Sequence, residues 1–141
     1  MRSAGKPLSR DEMGRVFEYH EKLWNRIAVP STEQFTWSDI PWPMAKTPNS
    51  PEEISQRLIE EYIRSPAWPD KDGVNMTTKD RIKDSLKRWH PDRFDNRCLV
   101  RVIDSDKERV KMASGNVVRY LNELLRKENE ASNGNGLFGA D

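Results

Sequence analysis

Apolar residues recur at helical spacing in four stretches of the chain, and prolines interrupt the stretches between them. Met13, Val16, Phe17, His20, Leu23, Trp24 and Ile27 form one stripe, which predicts a helix from Ser9 to about Ala28. Ser9 and Glu12 have capping-box spacing, and Pro30 ends the element. Ile54, Leu58, Ile59, Tyr62 and Ile63 predict a second helix from Pro51 to about Arg64, with Ser50 as cap and Glu53 completing a capping box. Pro66 and Pro69 stop it, and the Gly73-containing stretch from Asp70 to Asn75 predicts a turn. A third helix is expected from about Thr78 to Trp89, capped by Thr77 or Thr78. Ile82, Leu86 and Trp89 fall on one side of it, and Lys79, Lys83 and Arg88 can gather on another. The fourth, from Ser105 to about Lys127, carries Val110, Ala113, Val117, Leu121, Leu124 and Leu125, with Ser105 and Glu108 at capping-box spacing. Gly115 in its middle weakens it by about 1 kcal/mol relative to alanine and suggests a close helix contact there.

The intervals are also informative. Pro30, Pro41, Pro43 and Pro48 forbid a regular element over residues 30–50, because each fixes φ and removes a backbone donor. Yet Phe35, Trp37, Ile40 and Trp42 place four large apolar residues in eight positions, more than a solvated linker would carry. The reading is an extended segment lying on the domain with its aromatics tucked in. Trp42 and Trp68, each flanked by prolines, are the tryptophans expected to stay semi-exposed. Arg93 to Val102 should hold a short turn anchored by Phe94, Leu99 and Val102. The Asn- and Gly-rich stretch Glu128–Asp141 predicts disorder. The expected architecture is all-α: a disordered N-terminus over residues 1–8, N-terminal helices and the aromatic/Pro-rich segment over 9–76, a helical hairpin over 77–127, and a disordered tail over 128–141.

Composition narrows the function. With 141 residues, 35% hydrophobic and 33% charged, only part of the chain can form a core, although five tryptophans supply large buried areas. A net charge of +1 gives no global attraction to nucleic acid or acidic membranes. No segment reaches the roughly 20 apolar residues needed to span a bilayer. A single cysteine, Cys98, excludes an internal disulfide and reads as a small buried filler; with only His20 and His90 beside it, a structural zinc site has too few soft ligands. No metal, cofactor or catalytic residue is expected. A reducing compartment, cytoplasmic or nuclear, is the default.

The most informative string runs from Lys79 to Phe94: a basic amphipathic helix, Trp89, then His90-Pro91-Asp92 and Arg93. Between Lys79 and Arg101 stand eight Lys or Arg and four Asp, a local net of +4. This resembles the J-domain family, co-chaperones that dock on Hsp70 through a basic helix and a His-Pro-Asp loop and stimulate its ATPase. An aromatic residue before the histidine (Trp89), basic residues seven and eleven positions before it (Lys83 and Lys79) and a basic residue after the aspartate (Arg93) follow the family pattern. Ser85 and Asp84 depart from it, the gap to the returning helix is longer, and the short opening helix is not evident. Arg-Trp-His-Pro-Asp-Arg-Phe, with the later Val-Val-Arg-x-Leu-Asn-x-Leu-Leu, is similar to the divergent J-like region of NF-kappa-B inhibitor-like proteins and of uncharacterised fungal relatives. The resemblance implies a hairpin joined by the His-Pro-Asp loop. It also implies an Hsp70-type partner bound through His90, Pro91, Asp92, Lys79, Lys83, Arg88 and Arg93.

Two other readings compete. The J-like helices could be purely structural in a non-chaperone interaction scaffold, with Phe35, Trp37 and Trp42 binding a different protein, since aromatics beside prolines make good interface anchors. Nucleic-acid binding through the third helix ranks last, because the overall charge is near neutral and no stacking surface is evident.

Overall fold

The fold is all-helical in a computed structural model that describes residues 7–140, with side chains described through residue 132. Five helices follow in order: α1 (Arg10–Ala28), α2 (Gln56–Ile63), α3 (Thr78–Trp89), α4 (Pro91–Arg97) and α5 (Asp104–Ala140). Single 3-10 turns at Trp37–Asp39, Pro51–Glu53 and Leu99–Arg101 punctuate the connections. The described residues contain only two isolated β-bridges and no strand. No helix among them is long and apolar enough to cross a membrane.

α5 is the spine of the core. Val110, Ala113, Val117, Leu121 and Leu124 recur at helical spacing on its inner face and are all buried. α3 packs along it as the other limb of a helical hairpin, contributing Ile82 and Trp89, while α2 adds Ile59 and Ile63. The segment from Phe35 to Met44 wraps onto the same core: Phe35, Trp37, Ile40, Trp42 and Met44 are all buried in it. Its indoles also find acceptors, Trp37 Nε1–H donating to the Pro48 carbonyl at 2.6 Å and Trp42 Nε1–H to the Trp37 carbonyl at 3.1 Å. This corrects the expectation that Phe35, Trp37 and Trp42 offer a second protein-binding surface. Trp42 is 1% exposed; of the two Pro-flanked indoles only Trp68 is partly exposed.

Arginine side chains fasten the connections. The Phe35 and Val102 backbones form a parallel bridge, Phe35 N–H donating to the Arg101 carbonyl at 2.7 Å and Ile103 N–H to the Phe35 carbonyl at 2.9 Å. The Arg101 guanidinium then donates to the carbonyls of Ile27, Val29 and Glu33 and lies 4.5 Å from the centre of the Phe35 ring. Arg81, buried in α3, donates to the carbonyls of Ile63, Ser65 and Met76 and so ties α2 and the following turn to α3.

Boundaries differ from expectation in four places. The second helix splits: Pro51–Glu53 is a 3-10 turn, Ser55 rather than Ser50 caps α2 by accepting from Leu58 N–H, and Glu53 accepts from Asn49 N–H instead of closing a box. Near the start of α5, Asp106 is buried and accepts the Trp37 backbone N–H at 2.8 Å, a tertiary tie in the turn where a Ser105–Glu108 box was expected. Gly115 is exposed with nothing within 4 Å of where a Cβ would stand, so it marks no close helix contact. Finally, α5 continues past Lys127. Glu128 accepts from Arg64 at 2.5 Å and Glu130 pairs with Arg126, so side-chain pairs carry the helix into the stretch expected to be disordered, and the helical backbone runs on to Ala140. Met1–Lys6, most of the N-terminus expected to be disordered, and Asp141 lie outside the described residues.

Candidate functional site

A run of contacting aromatic rings links the core to the corner at the end of α3. Trp37 and Trp42 lie 4.5 Å apart, Trp42 stacks on Trp89 at 5.4 Å, and Trp89 stacks on Phe94 at 4.9 Å. Trp89 ends α3 and Phe94 lies in α4, so burying both rings fixes the angle between the two helices. His90 joins them. It caps the C-terminus of α3 and the N-terminus of α4 at once, with φ −53° and ψ 132°, and its Nδ1 accepts the Asp92 backbone N–H at 3.2 Å. Pro91 occupies the first position of α4, where its missing N–H costs nothing. The expected His-Pro-Asp loop is therefore a helix-to-helix elbow, because the Phe94–Trp89 stack and the His90 cap favour continued helix over a loop. The limbs of the hairpin are joined by α4 and the Leu99–Arg101 turn rather than by those three residues alone.

The elbow is open to solvent: the His90 side chain is 62% exposed and that of Asp92 is 94% exposed. The basic side chains of α3 do not act as one ridge. Arg88 donates to both carboxylate oxygens of Glu21 at 2.9 Å and lies 5.4 Å from the Trp24 ring centre. Lys87 stands 3.9 Å from Asp84 and Lys71 3.4 Å from the same group. Among the described residues, Lys79, Lys83 and Arg93 have no carboxylate within ion-pair distance, Lys79 being half-buried and the other two exposed.

Two concavities meet at Arg88. A groove of about 530 Å³ runs between α1 and α3, with Trp24, Trp89, Pro41, Pro43 and Trp68 among its apolar walls and Glu21, Asp84, Lys87 and Arg88 among its charged ones. A smaller recess of about 210 Å³ lies between α1 and α4, lined by Trp24, Asn25, Phe94, Arg88, Arg93 and Arg97 together with Ile27 and Ala28. Of the seven residues expected to bind a partner, Arg88 and Arg93 line these concavities, while Lys79, Lys83, His90, Pro91 and Asp92 line neither. The sequence reading missed Glu21, Trp24 and Arg97. Arg97 could have been found from its i,i+4 spacing to Arg93 on α4. Glu21 had no signal, since the Arg88 it pairs with lies 67 positions away.

His20 also lines the groove, although it is largely covered, and its Nδ1 lies 2.7 Å from the Tyr62 hydroxyl. Burial pushes its pKa down from 6.5 to about 4, so the imidazole is neutral at pH 7. Burial likewise pushes the Cys98 thiol up to about 12, so it carries no nucleophile at neutral pH.

Residues 69–129, which carry the hairpin and its elbow, match the family model of the NF-kappa-B inhibitor-like protein 1 C-terminal domain. No curated protein and no solved structure matches the chain. The matched region holds α3, the elbow, α4 and α5 as far as Asn129. It supplies Arg88, Arg93 and Arg97, whereas Glu21, Trp24, Pro41 and Pro43 come from the part of the chain that precedes it.

Proposed function

We propose that the chain is a helical protein-interaction module whose partner lies along the groove between α1 and α3. The groove itself carries this reading: aromatic and proline walls beside fixed charges are the chemistry of a protein-binding surface, with apolar area for affinity and charges for register. The matched family supports it at the level of an interaction domain. The module acts by binding rather than catalysis, and a cytoplasmic or nuclear location suits its one cysteine, which is buried. To test the groove, a photo-reactive benzophenone side chain is installed at Lys87, or at exposed Met112 on α5 as control, and the chain is irradiated in extract of its source cells. Discrete protein adducts are expected from position 87 and not from 112. The same adducts from both positions, or none from 87, would overturn the proposal.

A second reading is favoured by one observation: His90 and Asp92 are open to solvent and Lys83 is exposed with no ion-pair partner among the described residues, as docking on an Hsp70-type chaperone would require. The chain would then stabilise one conformation of that chaperone. Its test is ATPase stimulation of a cytosolic Hsp70 by the intact chain, lost in His90→Gln and Asp92→Asn. Equal, unstimulated rates for all three would remove this reading and leave the groove untouched.

A further inference from the structure

We infer that the recess between α1 and α4 takes an acidic segment of a protein partner, and that Glu21 occupies Arg88 in its place until the partner arrives. This rests on the interaction reading above and names the chemistry that the recess would accept. Three guanidinium-bearing residues line a space of about 210 Å³, and no carboxylate lines it. Arg93 and Arg97 are both exposed, are one helical turn apart on α4, and have no carboxylate within ion-pair distance among the described residues. The chain is nearly neutral overall, so this local excess is not a reflection of a generally basic surface. The Trp24 ring and Phe94 supply apolar wall, which suits the methylene groups of glutamate as well as its carboxylate.

Arg88 lines both recess and groove, as Trp24 and Arg93 also do, and among the described residues it is the one member of the arginine trio that already holds a carboxylate. Glu21 holds it by a forked contact, Nη2 alone donating to both carboxylate oxygens at 2.9 Å. Both side chains of that pair are about half exposed, Arg88 at 42% and Glu21 at 54%, so water and an incoming carboxylate can reach it. Exchanging one carboxylate for another conserves the Arg88 bonds, while the newcomer also gains Arg93 and Arg97. Glu21 is therefore a competitor built into α1. It keeps Arg88 extended over Trp24, 5.4 Å from the ring centre, and sets a threshold that a single stray carboxylate does not pass.

The probe is a blocked hexaglutamate peptide titrated into the intact chain, with hexaglutamine and a hexauridylate RNA as comparison arms. The Trp24 indole Nε1–H and the arginine Nε–H signals are followed by NMR. Hexaglutamate should shift the Trp24 indole and the Arg93 and Arg97 signals, with binding that weakens as salt rises. Arg97→Gln should weaken it about ten-fold and Glu21→Gln should tighten it several-fold, while Lys111→Gln on the exposed face of α5 should change nothing. Tightening in Glu21→Gln is the informative result, because a merely structural Glu21–Arg88 pair would weaken binding when lost. Equal shifts from hexaglutamine, no movement of the Trp24 indole, or unchanged affinity in Arg97→Gln would each overturn the inference. Tighter binding of the RNA at the same residues would overturn it too, by assigning the recess to phosphates. Adducts from position 87 without a Trp24 shift would sink this inference alone; their absence would sink the groove reading.

Discussion

The segment Phe35–Pro48 and the corner Trp89–Arg97 have similar ingredients, large aromatic rings beside prolines, and opposite fates. In the first, the rings of Phe35, Trp37 and Trp42 are buried and both indole N–H groups end on carbonyls within the segment itself. In the second, Trp89 and Phe94 turn inward while His90 and Asp92 stand in water. The difference lies in where polar atoms find partners. A proline-rich stretch that supplies acceptors for its own indoles can be buried at low cost. A corner whose imidazole caps the next helix and whose carboxylate accepts no hydrogen bond among the described residues, lying 3.9 Å from His90 Nδ1, must stay outside. Aromatic-proline composition does not by itself mark an interface.

Breaking the sealed region should have the largest effect. Trp42→Ala removes a ring in contact with both Trp37 and Trp89 at a site 1% exposed, which should cost about 3–5 kcal/mol. Urea unfolding followed by far-UV circular dichroism measures it. A loss below about 1 kcal/mol would mean that the segment does not form a sealed layer on the core.

The two regions also differ in how far sequence reveals them. Helical stripes gave α1 and α3 nearly to the residue, because Ser9, Glu12 and Thr77 act locally, within one turn of the groups they cap. The tucking-in of Phe35, Trp37 and Ile40 was legible too, from the density of large apolar residues, whereas Trp42, expected to stay semi-exposed, is buried as well. What stayed hidden depends on distant partners. Asp106 bonds a backbone N–H contributed by Trp37, Arg101 caps the end of α1, and Glu21 meets Arg88 across 67 positions. No local spacing encodes such pairs. The elbow was misread for a related reason: proline ends a helix and also begins one, and the Trp89–Phe94 stack together with the His90 cap decides between them.

A second prediction uses pH to probe the α1 side of the groove. His20 is buried beside Tyr62, and its pKa falls from 6.5 to about 4 in the fold. Between those values the unfolded chain binds more protons than the native one, so this contribution to stability is complete above about pH 6.5 and is lost as pH falls toward 4. The full shift corresponds to about 3 kcal/mol. His20→Gln keeps a polar partner for the Tyr62 hydroxyl and removes the titration. Unfolding midpoints at pH 7 and 4.5 should therefore fall further in the wild type than in the variant; parallel losses would mean the imidazole is not desolvated in the native state.

The smallest effect on stability belongs to the open corner, and it sharpens the contrast most. Asp92→Asn removes a charge whose side chain is 94% exposed, and the residue's backbone N–H, which bonds His90, is unchanged. It should alter stability by no more than about 0.5 kcal/mol in the urea assay. His90→Gln should cost slightly more, up to about 1 kcal/mol, because the imidazole caps α4. Neither substitution touches Arg93, Arg97 or the Arg88–Glu21 pair, so hexaglutamate binding should survive both. The corner can therefore be tested independently of the recess. A binding loss confined to these two variants, with folding intact, would place the working surface on the elbow rather than in the grooves beside it. Unchanged binding in both would keep the acidic-segment site in the recess and leave the elbow to the ATPase test alone.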